Sequence, residues 1–200
     1  MGLNGNQNHP KKGSIIKVEP IKKLKDVALI KKLLADRPRD LCLFTVGVNT
    51  NLRASDLLQL TVGQVRDLQP GDSVEIREKK TGKRRPVVFN GACVRAIDDY
   101  LRFRQAGIED MDQPLFVGQR GPLTVSTVNN LVKKWCAEIN LKGNYGSHTL
   151  RKTWGYHQRV TFGVDIPTLM VCFNHSSQRQ TLDYLCIQPE EIRDVFSNEI

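Results

Sequence analysis

The chain has no Cys-x-x-Cys pair. Its five cysteines, Cys42, Cys93, Cys136, Cys172 and Cys186, are scattered and odd in number. That argues against a zinc site or a disulfide framework, and for buried free thiols in a reducing compartment. No apolar run approaches the roughly 20 residues that cross a bilayer, and the N-terminus lacks the charged-then-apolar order of a signal peptide. A cytoplasmic protein without a membrane partner is expected. Also missing are a phosphate-cradling glycine loop, a nucleophile elbow, metal-ligand spacing and an internal repeat, so the sequence implies no cofactor and no metal. Acid is scarce as well: 21 Asp+Glu stand against 30 Lys+Arg, a formal charge of +9. Such an excess points to a polyanion, of which nucleic acid is the commonest. No basic amphipathic helix with an aromatic face is present to serve an acidic membrane instead.

What is present suffices for one well-cored domain, with 40% hydrophobic residues in 200. Residues 1–19 carry Asn, Gly, Lys and Pro without a period and read as a flexible tail. From Pro20 the spacing is helical, and Pro38 ends or restarts the helix. Leu41–Val46 reads as mostly buried helix, with its β-branched residues leaving a strand open, Gly47–Asn51 as a turn, and Arg53–Leu60 as a short helix with inward leucines. Val62, Val65 and Leu68 suggest a first strand. Ser73–Arg77 and Arg85–Phe89 then complete a small antiparallel three-stranded sheet, whose hairpin tip carries Lys79, Lys80 and Lys83. Charge alone does not settle which lysine points inward. The remainder is helical: 92–104, a helix capped by Thr124 or Ser126 and running to Ile139, one from His148, and one from Pro167 to Phe173. The predicted class is α+β, mostly helical, with the sheet on one edge. Trp135, Trp154 and Phe162 are expected in the core, and His157 is expected to be structural or exposed.

Chemistry concentrates near the C-terminus. His148 and Arg151 lie three apart and share a helix face about one turn apart. Near a helix start, that face offers an imidazole, a guanidinium and unpaired backbone N–H groups to an anion. His175 and Tyr184 add a proton carrier and a phenol able to act as a nucleophile. Arg, His and Tyr without metal suit chemistry on a phosphodiester, where cations neutralise the phosphorus oxygens. Arg53, at a turn-to-helix junction, can point into a cleft, although taken alone it reads as a surface arginine.

In this order the residues resemble the tyrosine recombinase (phage integrase) family over nearly all of 20–190. Asn51-Leu52-Arg53-Ala54-Ser55-Asp56-Leu57-Leu58-Gln59-Leu60 matches its first box, and Lys80-Thr81-Gly82-Lys83 its hairpin lysine. His148-Thr149-Leu150-Arg151 matches the His-x-Leu-Arg box. Phe173-Asn174-His175-Ser176-Ser177 with Tyr184 matches the last box and the nucleophile. Asn51 and Asn174 stand where the family commonly has Gly, and Asn best tolerates the positive φ such turns need.

The resemblance implies a site-specific DNA recombinase that works without metal or ATP through a 3′-phosphotyrosyl bond at Tyr184. Arg53 and Arg151 would grip the phosphate, Lys80 protonate the leaving oxygen, His148 take or relay the tyrosine proton, and His175 bond the phosphate. Asp56 would support the others, and Lys79, Lys83 and Arg84 would contact DNA. The implied partners are double-stranded DNA and three further copies on synapsed DNA, with a monomer when free and room for a DNA-bending accessory protein. The expected division is a tail over 1–19, the catalytic domain over 20–190 and a C-terminal tail over 191–200. In that tail Ile192, Val195, Phe196 and Ile200 either pack at home or dock on a neighbouring protomer. Many family members carry an N-terminal clamp domain that residues 1–19 cannot form. This chain therefore resembles an excised catalytic domain or the short recombinases that invert fimbrial promoters. The rival readings are a relaxase like type IB topoisomerases and a DNA-binding regulator with little catalysis.

Overall fold

The computed structural model describes residues 18–104, 110–185, 196, 197 and 199. Its elements run α1 (Leu24–Leu33), α2 (Pro38–Gly47), α3 (Ala54–Leu57), α4 (Val62–Val65), β1 (Ser73–Arg77), β2 (Arg84–Val88), α5 (Gly91–Arg104), β3 (Val117–Gly118), β4 (Gly121–Pro122), α6 (Val125–Glu138), α7 (Ser147–Val160), α8 (Ile166–Phe173) and α9 (Gln178–Leu185). Local chemistry accounts for many of the boundaries. Pro38 sits in the first turn of α2, where its fixed φ suits the helix and its missing N–H costs nothing. Thr124 Oγ1 accepts from Thr127 N at 3.1 Å to start α6, and Asp165 Oδ1 accepts from Thr168 N at 2.7 Å to start α8. Asn174, at φ 55°, ends α8 in the left-handed conformation.

The buried helix α2 packs most heavily on α5, and α6, α7 and α3 close around them. Phe44 meets Trp135 edge-to-face at 5.9 Å, and Tyr100 stacks on Phe116 at 6.1 Å. A second, smaller cluster of Leu169, Phe173 and Leu185, with Trp154 and Tyr184 against it, joins α8 and α9 to α7. Their approach needs Gly155, because a Cβ there would lie 2.4 Å from Phe173 Cζ and 2.8 Å from Leu185 Cδ2. Ahead of α1, a backbone strap crosses α7: Ile21 N donates to Thr153 Oγ1 at 2.9 Å, and His157 Nε2 to Ile21 O at 2.9 Å. His157 is therefore structural, with Thr161 Oγ1 at its Nδ1.

Two expectations are corrected. Residues 62–65 form a helical turn, not a first strand, so two two-stranded sheets replace the expected three-stranded one. Val62 and Val65 are three apart, a helical spacing. Thr61 and Gln64 form a capping box in which Thr61 N donates to Gln64 Oε1 at 3.0 Å. Phe162 is 65% exposed just past the end of α7, whereas Trp135 is fully buried and Trp154 packs edge-to-face on Phe173. Among the cysteines, Cys42, Cys93 and Cys136 are buried thiols with pKa values raised by burial, and Cys172 is half-buried. Cys186, Ile192, Val195 and Ile200 lie outside the described residues, as do residues 1–17, and Phe196 is 85% exposed. Among the described residues no helix is long and apolar enough to cross a membrane.

Candidate active site

Three segments distant in sequence converge: the turn from α2 into α3, the β1–β2 hairpin, and the α7–α8–α9 end. Two asparagines stitch them together. Asn51, at φ 54°, donates from Nδ2 to Cys172 O at 2.6 Å, and Asn174 Nδ2 donates to Glu78 Oε2 at 3.4 Å. Arg53, the residue before α3, brings Nη1 to 2.8 Å from Glu78 Oε1 and 3.7 Å from Asp56 Oδ2. Arg85 Nε donates to the same Glu78 oxygen at 3.1 Å and its Nη2 to Asn51 O at 3.1 Å. Asp56 has no exposed surface, and its Oδ1 accepts from Lys79 N at 3.0 Å, fixing the hairpin against α3. The exposed tip carrying Lys80 stands on that base.

Across from the hairpin, Arg151 is 1% exposed on α7. Its Nη2 donates to Phe173 O at 3.0 Å, while Nη1 is buried with no hydrogen-bond partner among the described residues. The guanidinium lies over the Phe173 ring at 5.1 Å and over the Tyr184 ring at 5.9 Å. Lys152 Nζ lies 5.1 Å from the Tyr184 ring centre. His175 stacks on Phe173 at 5.0 Å, meets Tyr184 at 5.5 Å, and shares a 3.0 Å hydrogen bond between Nδ1 and Thr181 Oγ1. His148 opens α7 one turn before Lys152.

Charge follows from this crowding. Among the described residues, Arg53, Arg85, Arg151, Lys152 and Lys80 gather around two buried carboxylates, Asp56 and Glu78, so the site favours an anion. His148 is shifted down by burial of its ring, then by Arg151, Arg53, Lys152 and Lys80. Burial, with Arg151 and Arg53, holds His175 at about 4, so it is neutral at pH 7. Burial lowers Arg151 to about 10, opposed by Tyr184 and assisted by Arg53 and Arg85, and it stays charged at pH 7. Glu78 sits at about 2: burial alone would raise it, but Thr81, Arg53 and Asn174 outweigh that.

The structure thus brings Arg53, Asp56, His148, Arg151, His175 and Tyr184 around one site, with Lys80 on the hairpin tip beside it. Lys79 and Lys83 lie on the same exposed tip. Arg84 points the other way and pairs with Glu75 at 2.9 Å on the exposed face of the hairpin. Sequence reasoning missed Glu78, Arg85 and Lys152. The signal for the first two was the period of two. Val74 and Ile76 of β1, with Glu78 just past its end, share one inward face, and Arg85 and Val87 of β2, with Phe89 just past its end, share the other, which leaves Arg84 outside. Lys152 follows from His148 at helical spacing. Among the described residues no group of three His, Cys, Asp or Glu side chains could hold a metal.

The phage integrase family matches residues 19–191. A probable integrase/recombinase, YoeC of Bacillus subtilis, is 33% identical over 184 residues, which is 90% of this chain and 95% of that protein. Tyrosine recombinase XerC of Caldanaerobacter subterraneus is 32% identical over 79% of this chain but only 44% of its own length. The fold is similar to that of XerA recombinase, with TM-score 0.74 at 23% identity over 94% of this chain and 65% of the other. It is also similar to XerH recombinase captured with its difH substrate after cleavage, with TM-score 0.75 at 20% identity over 93% and 54%.

Proposed function

This chain belongs to the phage integrase family, and from that we propose that residues 20–190 act as the catalytic unit of a site-specific recombinase that cleaves and rejoins double-stranded DNA. The observation that carries the reading is the packing of the Tyr184 phenol among Arg151, His175 and Lys152, beside a hairpin that presents Lys80.

A scissile phosphate would enter between Arg53 and Arg151, whose guanidinium donors suit its non-bridging oxygens. The buried Arg151 Nη1 gains an acceptor there, removing a cost of roughly 1–3 kcal/mol for an unmet buried donor. Neutral His175 adds a hydrogen bond without further charge. The Tyr184 oxygen bonds to phosphorus as the bond to the 5′-oxygen breaks. A phenol with pKa of about 10 must lose its proton on the way, and His148, its pKa lowered by burial and then by its cationic neighbours, accepts or relays it. Lys80 gives a proton to the leaving 5′-oxygen. Attack by a different 5′-hydroxyl reverses both transfers, so bond energy is kept without ATP. Asp56 steadies Arg53 and the hairpin, while Lys79 and Lys83 on its tip meet the DNA backbone. On synapsed DNA the unit works as four copies.

The test is covalent trapping on nicked duplexes tiled across the DNA that flanks the gene. A protein–DNA band that survives denaturation and disappears with Tyr184→Phe supports the reading. Binding on a native gel without any adduct, at every duplex, overturns it in favour of a binding-only protein.

A further inference from the structure

Glu78 has no exposed surface, yet its carboxylate touches the residue before α3, the hairpin and the turn after α8. Oε1 faces Arg53 Nη1 at 2.8 Å and accepts from Arg85 Nε at 3.1 Å, and Oε2 accepts from Thr81 Oγ1 at 2.8 Å and Asn174 Nδ2 at 3.4 Å. Burying a carboxylate is costly even when it is paired, and apolar replacements of such pairs are often neutral for stability. Neutralising two arginines would not require it also to clasp a loop tip and a turn. The tip itself is closed on Glu78: its N–H donates to Lys83 O at 2.8 Å, and its carbonyl accepts from Gly82 N at 2.8 Å. Lys83 N donates to Thr81 Oγ1 at 3.3 Å. Lys80 is the neighbour of Thr81, so the backbone that carries its side chain is fixed through this carboxylate. Arg53 is held by the same group. Its ion pairs run through Nη1, which leaves the rest of the guanidinium fork for other acceptors.

We propose that Glu78 is a positioning residue that sets the Arg53 phosphate clamp and the Lys80 proton donor in one fixed relation, so that charge stabilisation and leaving-group protonation are delivered together. This rests on the recombinase reading above and on Lys80 as the acid. Loss of the carboxylate would leave Arg151, Lys152 and the tip lysines to bind DNA, but would loosen both catalytic groups at once.

The test uses the duplex trapped through Tyr184, made with either oxygen or sulfur bridging to the 5′ carbon at the scissile phosphate. A thiolate leaves without a proton, so sulfur erases a defect in acid delivery and leaves a defect in the phosphate clamp. Glu78→Gln should slow adduct formation about 100-fold on the oxygen duplex, with DNA affinity within about threefold of the parent. Sulfur should recover about tenfold of that loss. Thr81→Val, at an exposed position where folding is not at stake, should give a smaller deficit with the same recovery. Oxygen-duplex rates within about threefold of the parent for Glu78→Gln overturn the proposal. So do deficits that sulfur leaves untouched in both variants. If Lys80→Ala is not recovered by sulfur, the assignment of the acid is wrong and the inference falls with it; a parent that forms no adduct fails the recombinase reading itself.

Discussion

At the scale of single residues, Asn51 and Asn174 do two jobs. Each adopts a positive φ that an L-residue with a Cβ resists, and each donates from its amide across the site. Replacing Asn51 by Gly removes the hydrogen bond to Cys172 O but keeps the turn. Replacing it by Ala removes the bond and strains the turn as well. Asn51→Ala should therefore be less stable than Asn51→Gly by about 1 kcal/mol in urea unfolding, and equal stabilities would show the turn to be relaxed. Tolerance of positive φ was legible in the sequence because it is a property of one residue. The amide's acceptor was not, because Cys172 is 121 residues away and only the packing of α8 brings it near. Glu78 and Arg85 were legible in principle from strand alternation, but the lysines of the tip drew the eye past them. Phe162 was misplaced for a similar reason: aromatic character says that burial is favourable, not that a partner face exists.

At the scale of elements, the hairpin and the long helices followed from period and caps. Residues 62–65 did not, since two valines in one helical turn look β-like until the Thr61–Gln64 box is weighed. Least visible was how α8 and α9 reach α7. Gly155 sits in mid-helix, where glycine costs roughly 1 kcal/mol relative to Ala, and it is repaid by contact with Phe173 and Leu185. Gly155→Ala, favourable to the isolated helix, should nonetheless destabilise the protein by about 1–3 kcal/mol through overpacking. The displaced element carries Tyr184, so adduct formation should slow more than DNA binding weakens. A raised melting temperature with unchanged cleavage would refute the close approach.

For the molecule as a whole, acid is the condition that opposes folding. His175 has a folded value of about 4 against 6.5 for a free imidazole. Between those pH values the unfolded chain takes up a proton that the folded chain refuses, so this contribution is intact above 6.5 and is lost as pH falls toward 4. His148 and His157 are shifted in the same direction. Glu78, at about 2 against 4.5, acts lower down: its stabilisation is present above 4.5 and is lost toward 2. The melting temperature should hold steady from pH 8 to 7 and decline from about 6.5 downward in two stages. His175→Gln should flatten the first stage, and an unchanged slope in that variant would assign the decline elsewhere. The core is divided as well. The main cluster gathers α2, α5 and α6, whereas Leu169, Phe173 and Leu185 make a small one of their own. Units with few buried apolar contacts open at a lower free energy than the fold they rest on. Tyr184 is thus mounted on the layer with the smaller anchorage, and that layer also carries His175 and the Phe173 carbonyl that holds Arg151, so its opening would unmake the anion site and withdraw the phenol in one movement.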